Sequence, residues 1–590
     1  MRVDGLLTAD SWEGPTLMHH RSRSVRRAGT AAAGVLALAG PLLAAGPAGA
    51  ATAPEPSPLG TARPATVAAA EADFLARTPE RYRDQQLTWA PCSGEQVGLL
   101  ASLTSGLECA QVTVPRDWND PGAGEPLQVT ISREPRQGPR PERTVITNPG
   151  GPGGAGLSLA SLGSVVPGLG GTEVIGLDVR GTGASSALTC GSAFTGQTPP
   201  DTRDRSPEAL ALAAKIVQDA AQACADDPLA PVVDTQQTVF DIDLVRDALD
   251  RETIDWVGYS GGTWLGAQFA THLPGRVGRF VLDSSVDATA GYQEVFSYQP
   301  MAFQRRFDVD FAPWAAAGNA TFGLGATGAE VGATYERLRA GLAARPLHLL
   351  PGLVVDGNLL DALATQSMYG KASFPQLAWI LSGLQVVEAF RGPGVSAAAV
   401  PAALSGRLTD LVRQLAPAAD RPPAAESMAA TFAATTCNDS PWTTDQDFWN
   451  AYGNEQGERY PLVGYTKSSQ VCAYWQRDGL VLPTVDGADL PPLLIVQSRR
   501  DPATAYEGAV KTHEAMGSSV LVTVEDEGDH GLYGMGNPCV DEVVDRFLTE
   551  GTAPGADVTC EGVGLPPVAG SAGESVVAKV LRAARSGAAS

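Results

Sequence analysis

The sequence predicts an α/β protein in which a mostly parallel β-sheet is covered by helices on both faces and carries an inserted helical domain. Three observations support this class. Short apolar strand patterns alternate with amphipathic helical patterns on both sides of a central region, as in parallel sheets. The central region, from about residue 292 to 423, has apolar residues at helical spacing without strands. One strand runs through a Gly-x-Ser-x-Gly turn into a helix at residues 254–270.

The size and charge of the chain limit the kinds of partner it can have. At 590 residues it exceeds what one compact core usually holds, which favours a large insertion. Its 42 basic and 65 acidic residues give a net charge of -23, and the basic residues are scattered. An acidic chain without a basic stripe argues against nucleic acid and anionic membranes as partners, and loosely favours cationic substrates such as free amines. We expect a monomer.

The N-terminus has the pattern of an export signal. A basic stretch at residues 19–27 precedes an apolar run at 31–45, and Ala48-Gly49-Ala50 provides a small-residue cleavage site. The apolar run is too short to span a bilayer comfortably, which argues against a membrane anchor. We therefore predict a signal peptide over residues 1–50, with Met18 as an alternative start, and a secreted protein.

Export changes the interpretation of the eight cysteines, because disulfides form in oxidising compartments. The sequence contains no Cys-x-x-Cys pair and no histidine at zinc-finger spacing, so we expect no metal site. The sequence alone does not choose among the many possible connectivities. We predict sequential pairing: Cys92 with Cys109, Cys190 with Cys224, Cys437 with Cys472, and Cys539 with Cys560.

The first strands of the sheet follow a leader. Residues 51–75 are rich in Ala, Pro and Thr and are predicted to be flexible. Residues 110–114 and 127–131 alternate apolar and polar side chains around an Asn-Asp-Pro-Gly turn, which predicts a β-hairpin. A short buried strand follows at 144–147.

This strand runs into a glycine-rich loop, Asn148–Gly156, whose backbone amides can approach a ligand closely. A phosphate-binding loop is the alternative, but the loop lacks Gly-Lys-Ser/Thr and the helix after it is weak. The Gly-x-Ser-x-Gly turn at residues 258–262 is typical of the serine nucleophile of an α/β-hydrolase, a fold in which this loop supplies one oxyanion donor and the residue after the serine supplies the other. We assign the N–H groups of Gly151 and Gly261.

The central motif of the sequence is a nucleophile elbow. A strand at 173–178 and a helix capped by Thr235 lead to a strand at 254–257, followed by Gly258-Tyr259-Ser260-Gly261-Gly262. In a chain with 66 glycines the pentapeptide alone is weak, but the strand before it and the helix after it make it specific. The motif predicts an α/β-hydrolase fold with Ser260 as the nucleophile, in strained backbone geometry that excludes side chains at the flanking glycines.

The sheet continues at 279–283 and is then interrupted by the helical region. Four stretches there have helical spacing: 330–342, 357–369, 374–390 and 397–415. We interpret this region as an inserted cap whose apolar stripes serve packing. The sheet resumes at 493–498, and we expect 519–524 to be the last strand.

These elements give a predicted domain order. The segments are a signal peptide (1–50), a flexible leader (51–75), the first part of the α/β-hydrolase core (76–290), a helical cap (291–430), the second part of the core (431–560) and a tail (561–590).

The loops after the strands at 493–498 and 519–524 supply an aspartate and a histidine, which complete the chain order Ser, Asp, His of an α/β-hydrolase triad. Only His530 follows the last expected strand, because the other histidines of the mature chain lie on helices or in the cap. Asp501 is the predicted acid, and Asp283 is the alternative because geometry rather than position defines a triad. His530 would take the Ser260 proton and Asp501 would orient the imidazole, so the chemistry needs no cofactor and no metal.

With these residues identified, the chain resembles the secreted tripeptidyl aminopeptidases and proline-iminopeptidase-like α/β-hydrolases of actinobacteria. The blocks that carry the resemblance are Asn148–Gly153, Asp178–Gly183, Gly258–Trp264, Arg276–Asp283 and Asp501–Thr504. The resemblance covers most of residues 85–560. It implies an exported serine exopeptidase that releases short peptides, often tripeptides, from the free N-terminus of a peptide or protein. It also implies acidic side chains that bind the substrate ammonium, for which Asp439 is a candidate. A turn beside a disulfide is the alternative role of Asp439.

Two other functions fit parts of the pattern. A secreted esterase or lipase would use the same fold, since fold does not set substrate, and would prefer short acyl esters to peptide amides. An exported binding protein with a decayed site is the second alternative, and the complete set of Ser260, Asp501 and His530 argues against it. Failure of a fluorophosphonate to label Ser260 would favour it.

Overall fold

The computed structural model describes residues 78–93, 106–136, 138–194, 198–350, 353–390, 422–487 and 490–568. The predicted signal peptide, the leader, the cap helix at 397–415 and the tail beyond residue 568 lie outside the described residues. Within the described part, no helix is both long enough and apolar enough to cross a membrane.

In the part of the chain that the structure describes, the centre is a sheet of ten strands: β1 (Ala90–Pro91), β2 (Glu108–Val114), β3 (Leu127–Arg133), β4 (Thr144–Asn148), β5 (Glu173–Asp178), β6 (Ile254–Tyr259), β7 (Val277–Asp283), β10 (Leu493–Ser498), β11 (Ser519–Glu525) and β12 (Val558–Glu561). Their order across the sheet is β1-β2-β3-β5-β4-β6-β7-β10-β11-β12. All neighbours from β5 to β12 pair in parallel, whereas β1, β2 and β3 are antiparallel additions at one edge. The predicted mostly parallel α/β-hydrolase sheet is confirmed.

Helices cover both faces of this sheet. Those that precede β10, outside the central helical region, are Glu80–Arg83, Leu162–Val165, Pro207–Asp226, Thr235–Ala248, Gly261–His272, Pro422–Asn438 and Gln446–Arg459, and those that follow it are Tyr506–Ala515 and Pro538–Glu550. The helix that leads to β6 is capped by Asp234, whose side chain accepts a hydrogen bond from Gln237 N, and not by Thr235 as predicted. Both residue types are good caps, so the sequence did not separate them.

The two faces of the sheet are packed by alternate residues of each strand, as the pleat requires. Trp256 of β6 and Phe280 of β7 are buried in the cluster on one face. Their chain neighbours Val257 and Val281 are buried in the cluster on the opposite face. A sheet buried on both faces explains why these strands appear in the sequence as continuous apolar runs.

The described residues from 292 to 390 form a largely helical insertion after β7, and we call these residues the cap. Its elements are Tyr292–Val295, Gln299–Arg306, the π-helical turn Phe307–Phe311, Ala312–Ala317, Asn319–Phe322, Gly328–Ala344, Gly357–Met368 and Phe374–Phe390. The cap has an apolar core of its own, which includes Phe311, Leu338, Leu360 and Leu377. Its apolar stripes therefore serve packing, as predicted.

Two expectations about strands are wrong. The cap contains a short antiparallel pair, β8 (Leu347–Leu350) and β9 (Leu353–Val355), where only helices were predicted. The segment at 519–524 is not the last strand, because β12 adds in parallel beyond β11. Strands of three or four residues are too short to show the period-2 alternation on which the prediction relied.

All eight cysteines are paired in sequence order, as predicted. The bridges are Cys92–Cys109, Cys190–Cys224, Cys437–Cys472 and Cys539–Cys560. Cys92–Cys109 lies where β1 pairs with β2, and Cys539–Cys560 joins the helix Pro538–Glu550 to β12.

Candidate active site

Ser260 lies at the sharp turn between β6 and the helix Gly261–His272, with φ 56° and ψ -126°. Residues other than glycine rarely adopt positive φ, so this geometry has to be held by its surroundings. Ser260 N donates to Asp283 O at 3.0 Å, and Thr263 donates to Ser260 O through N at 2.8 Å and through Oγ1 at 2.6 Å. The turn therefore presents Ser260 at the carboxyl end of β6, as a nucleophile elbow does.

The glycines of the motif are required by close backbone contacts. A Cβ at Gly258 would lie 2.4 Å from Gly262 O, and one at Gly262 would lie 2.7 Å from Asn148 O. Real Cβ atoms do not approach other atoms so closely. The predicted steric requirement for glycine at these two positions is confirmed.

The loop after β4 packs directly against the elbow. Gly150 and Gly151 have φ of 88° and 111°, and the loop is held by Gly150 N donating to Asn148 Oδ1 at 2.9 Å. A Cβ at Gly261 would lie 3.1 Å from Gly151 N, so the backbones of Gly151 and Gly261 are adjacent. Among the described residues, neither of these two amides donates to a protein acceptor. Two adjacent free N–H groups beside a serine suit an oxyanion.

His530 and Asp501 meet in a buried hydrogen-bonded pair. The imidazole Nδ1 lies 3.0 Å from Asp501 Oδ1 and 2.9 Å from Oδ2. The Asp501 side chain is fully buried, and its Oδ1 also accepts from Ala503 N at 2.9 Å and Thr504 N at 2.8 Å. Burial lowers the pKa of His530, but the charge of Asp501 and the hydrogen bond to it outweigh burial, so the pKa is raised. A base of raised pKa that keeps an oriented Nδ1–H is suited to accept a serine proton.

The carboxylate of Asp283, the alternative acid, accepts hydrogen bonds from backbone N–H groups of the loop that carries His530, which we call the histidine loop. Its Oδ2 accepts from Leu532 N at 2.9 Å and Tyr533 N at 2.7 Å. Burial raises the pKa of Asp283 to about 6. The structure thus places Asp501, and not Asp283, on the imidazole, and Asp283 holds the loop that carries His530.

Sheet topology brings the three side chains to one edge. Ser260 follows β6, Asp501 follows β10 and His530 follows β11, and these strands run parallel in one sheet, so their carboxyl ends share an edge. Tyr259 OH, next to Ser260, donates to Tyr533 O at 3.2 Å and ties the elbow to the histidine loop. Such an arrangement can carry out acyl transfer through a serine.

Two neighbours of the site were missed by the sequence analysis. His530 N donates to Tyr369 O of the cap at 2.8 Å, and the Tyr369 ring meets the imidazole edge to face with centroids 5.3 Å apart. Thr431, on the helix Pro422–Asn438, donates from Oγ1 to Gly181 O at 2.7 Å and packs against Gly153. Neither residue belongs to a motif, so no local signal could have revealed them.

Asp439, the candidate for binding a substrate amine, is buried in the structure. Its Oδ1 accepts from Thr235 N at 2.8 Å and its Oδ2 from Thr235 Oγ1 at 2.6 Å. Burial, followed by the nearby charge of Asp234, raises the pKa of Asp439 to about 8. The carboxyl therefore stabilises the start of the helix Thr235–Ala248, and this role replaces the expected one.

Comparison with known proteins adds to this geometry. Residues 143–323 match the family model described as alpha/beta hydrolase fold, and residues 460–560 match the model described as TAP-like protein. A tripeptidyl aminopeptidase from Streptomyces lividans is 31% identical over 495 residues, which cover 80% of this chain and 86% of that protein.

Two relatives of lower sequence identity are named for different activities, one as a serine protease and one as a carboxylesterase. The serine protease Hip1 from Mycobacterium tuberculosis is 28% identical over 511 residues, covering 82% of this chain and 93% of that protein. A carboxylesterase B from Mycobacterium tuberculosis is 27% identical over 473 residues, covering 77% of this chain and 86% of that protein.

Proposed function

Because the chain belongs to the tripeptidyl aminopeptidase family of serine hydrolases, we propose that it is an exported exopeptidase that releases tripeptides from free N-termini. The observation that carries the proposal is the buried Asp501–His530 pair at the same sheet edge as the strained Ser260. Families of this fold hydrolyse many substrates, so the peptide specificity is drawn from the relatives.

In the proposed mechanism, His530 Nε2 accepts the proton of Ser260 Oγ as the oxygen attacks the peptide carbonyl. Asp501 holds the Nδ1–H and stabilises the imidazolium that forms. The N–H groups of Gly151 and Gly261 bind the developing oxyanion. His530 then protonates the leaving amine, and water releases the acyl-enzyme by the same route.

Export is supported by the four disulfides together with the signal-like N-terminus. A preference for free N-termini is supported by the strong negative charge, which favours a substrate ammonium over a blocked end.

Chromogenic anilides test this proposal. The free Ala-Pro-Ala anilide should be cleaved, whereas the N-acetylated tripeptide and the mono- and dipeptide anilides should be cleaved poorly. A Ser260→Ala variant should lose activity on every substrate. Equal cleavage of the blocked and free tripeptides would indicate an endopeptidase and refute the exopeptidase assignment.

An esterase is the second candidate, because one relative of similar coverage is named carboxylesterase B. The same panel separates the two functions if a short acyl ester is added. Higher kcat/KM on the ester, with no cleavage of any peptide anilide, would favour the esterase.

A further inference from the structure

A chain of alternating charges connects the two loops that carry Asp501 and His530. Arg500 Nε lies 3.0 Å from Asp310 Oδ2, and the same oxygen accepts from Arg306 Nη1 at 2.6 Å. Arg306 Nη2 in turn donates to Asp529 Oδ1. The two ends of the chain, Arg500 and Asp529, are the immediate sequence neighbours of Asp501 and His530. We call Arg500, Asp310, Arg306 and Asp529 the charge chain.

The inner members of the charge chain are buried. The Arg306 side chain is fully buried and that of Asp310 is 4% exposed. A buried charge is costly unless it is paired, and loss of one partner leaves the other uncompensated. The positions of Arg306 and Asp310 are therefore strongly coupled, and through them the positions of the two outer residues.

Both inner residues belong to the cap and not to the sheet. Arg306 ends the helix Gln299–Arg306, and Asp310 lies in the π-helical turn that follows. Single π-helical turns are rare in proteins, and those that occur are often found at functional sites. The cap thus adds a second link between the loops that follow β10 and β11, beside the direct hydrogen bond that Arg500 N donates to Glu527 O at 3.0 Å.

The loop that carries His530 lies directly against Arg306 and Lys371 of the cap. A Cβ at Gly528 would lie 2.3 Å from Arg306 Nη1, so the glycine lets the guanidinium lie against the loop backbone. Lys371, also in the cap, donates from its backbone N to Asp529 Oδ1 at 2.7 Å, and its Nζ pairs with Glu527. Two cap residues, Arg306 and Lys371, therefore hold the Gly528–Asp529 segment.

We propose that Arg306 is a positioning residue for the triad, which sets the placement of His530 against Asp501 by holding Asp529 and Asp310. The proposal rests on the triad roles in the proposed function. It means that the cap contributes to the catalytic geometry and does more than admit substrate. Displacement of a catalytic group by about 1 Å can lower rates by about 100-fold, so a weakened charge chain should reduce turnover strongly.

The test uses the rate at which a fluorophosphonate labels Ser260 in the full chain, because labelling needs the triad but not a peptide substrate. In Arg306→Met the rate should fall about 100-fold, and Arg306→Lys should recover part of the loss. On the tripeptide anilide, kcat should fall while KM changes little. The matched control is Arg339→Met, since Arg339 is a buried cap arginine paired with Asp201 and Asp361, neither of which belongs to the loops that carry Asp501 and His530.

The outcomes separate a positioning role from a structural one. If the melting temperature of Arg339→Met falls as far as that of Arg306→Met but its labelling rate stays within about twofold of wild type, the proposal is supported. Wild-type labelling of folded Arg306→Met would overturn it. Should Arg306→Met fail to fold, Asp529→Asn decides: slower labelling supports the proposal and an unchanged rate refutes it. Wild-type enzyme that is labelled but cleaves no peptide would refute only the proposed peptidase function.

Discussion

Replacing Gly150 by alanine is the most informative perturbation of the loop Asn148–Gly156, the proposed source of an oxyanion donor. Gly150 has φ of 88°, and a Cβ there would lie 2.3 Å from Tyr259 O and 2.5 Å from Gly261 N. Both are backbone atoms of the elbow and cannot rotate away. The loop therefore has to retreat from the elbow by roughly 1 Å to reach ordinary van der Waals contact.

The size of the effect follows from this displacement. Gly151, the next residue, carries one of the two assigned oxyanion donors, and a retreat of the loop moves its N–H away from the oxyanion position. Loss of one such donor costs about 100- to 1,000-fold in kcat. Because the donor acts mainly on the transition state, KM for the tripeptide anilide should change little.

The assay measures kcat and KM of Gly150→Ala on the free tripeptide anilide beside a control of similar backbone strain. Gly138→Ala serves this purpose, since Gly138 has φ of 105° and a Cβ added there would have no atom of the described residues within 4 Å. Gly138 precedes β4, so it lies on the side of the strand away from the loop Asn148–Gly156. The control should retain wild-type kcat. A Gly150→Ala enzyme with wild-type kcat would show that the loop does not contribute the donor.

Three other predictions concern the acid, a buried carboxyl and a disulfide. Asp501→Asn should lower kcat about 10,000-fold, because an amide does not hold the imidazole in the required tautomer. Asp283→Asn should lower the melting temperature and reduce kcat far less. Comparable kcat values in the two variants would contradict the assignment of Asp501 as the acid. Burial raises the pKa of Asp439 to about 8, whereas the pKa of an aspartate in the unfolded chain is about 4. The folded state therefore binds the proton more tightly. The contribution of Asp439 to stability falls as pH rises from about 4 to about 8. The loss of melting temperature between about pH 5 and pH 8 should therefore be smaller in Asp439→Asn than in wild type, and an equal loss would exclude Asp439 as its source. Removing the Cys437–Cys472 bridge, which spans 35 residues, by a double serine substitution should cost about 3–4 kcal/mol in denaturant unfolding, and an unchanged midpoint would show that the bridge does not constrain the unfolded chain.

Much of the fold could be predicted because its signals are local. The elbow at Ser260 and the glycine-rich loop at Gly151 each combine a buried strand with a turn that only glycine can make. Chain order then pointed to His530, since the carboxyl ends of parallel strands meet at one edge. The structure joins His530 to Asp501 as that order suggested.

What the sequence did not reveal depends on long-range contacts. Arg306 and Asp529 are separated by 223 residues, so no window of sequence shows that they pair. Asp439 lies beside a disulfide as expected, but its burial against Thr235 is a tertiary property that a turn-like sequence does not encode. The strand β12 has only four residues and is recruited by pairing with β11.

We propose that Ser260 removes three residues at a time from a free N-terminus. The most direct test of this proposal is a mass-spectrometric time course on a nine-residue peptide with a free N-terminus, beside the same peptide acetylated and a Ser260→Ala enzyme. We predict successive loss of tripeptides from the free peptide only, and no products with Ser260→Ala. Release of single residues, internal fragments, or equal cleavage of the acetylated peptide would contradict the account.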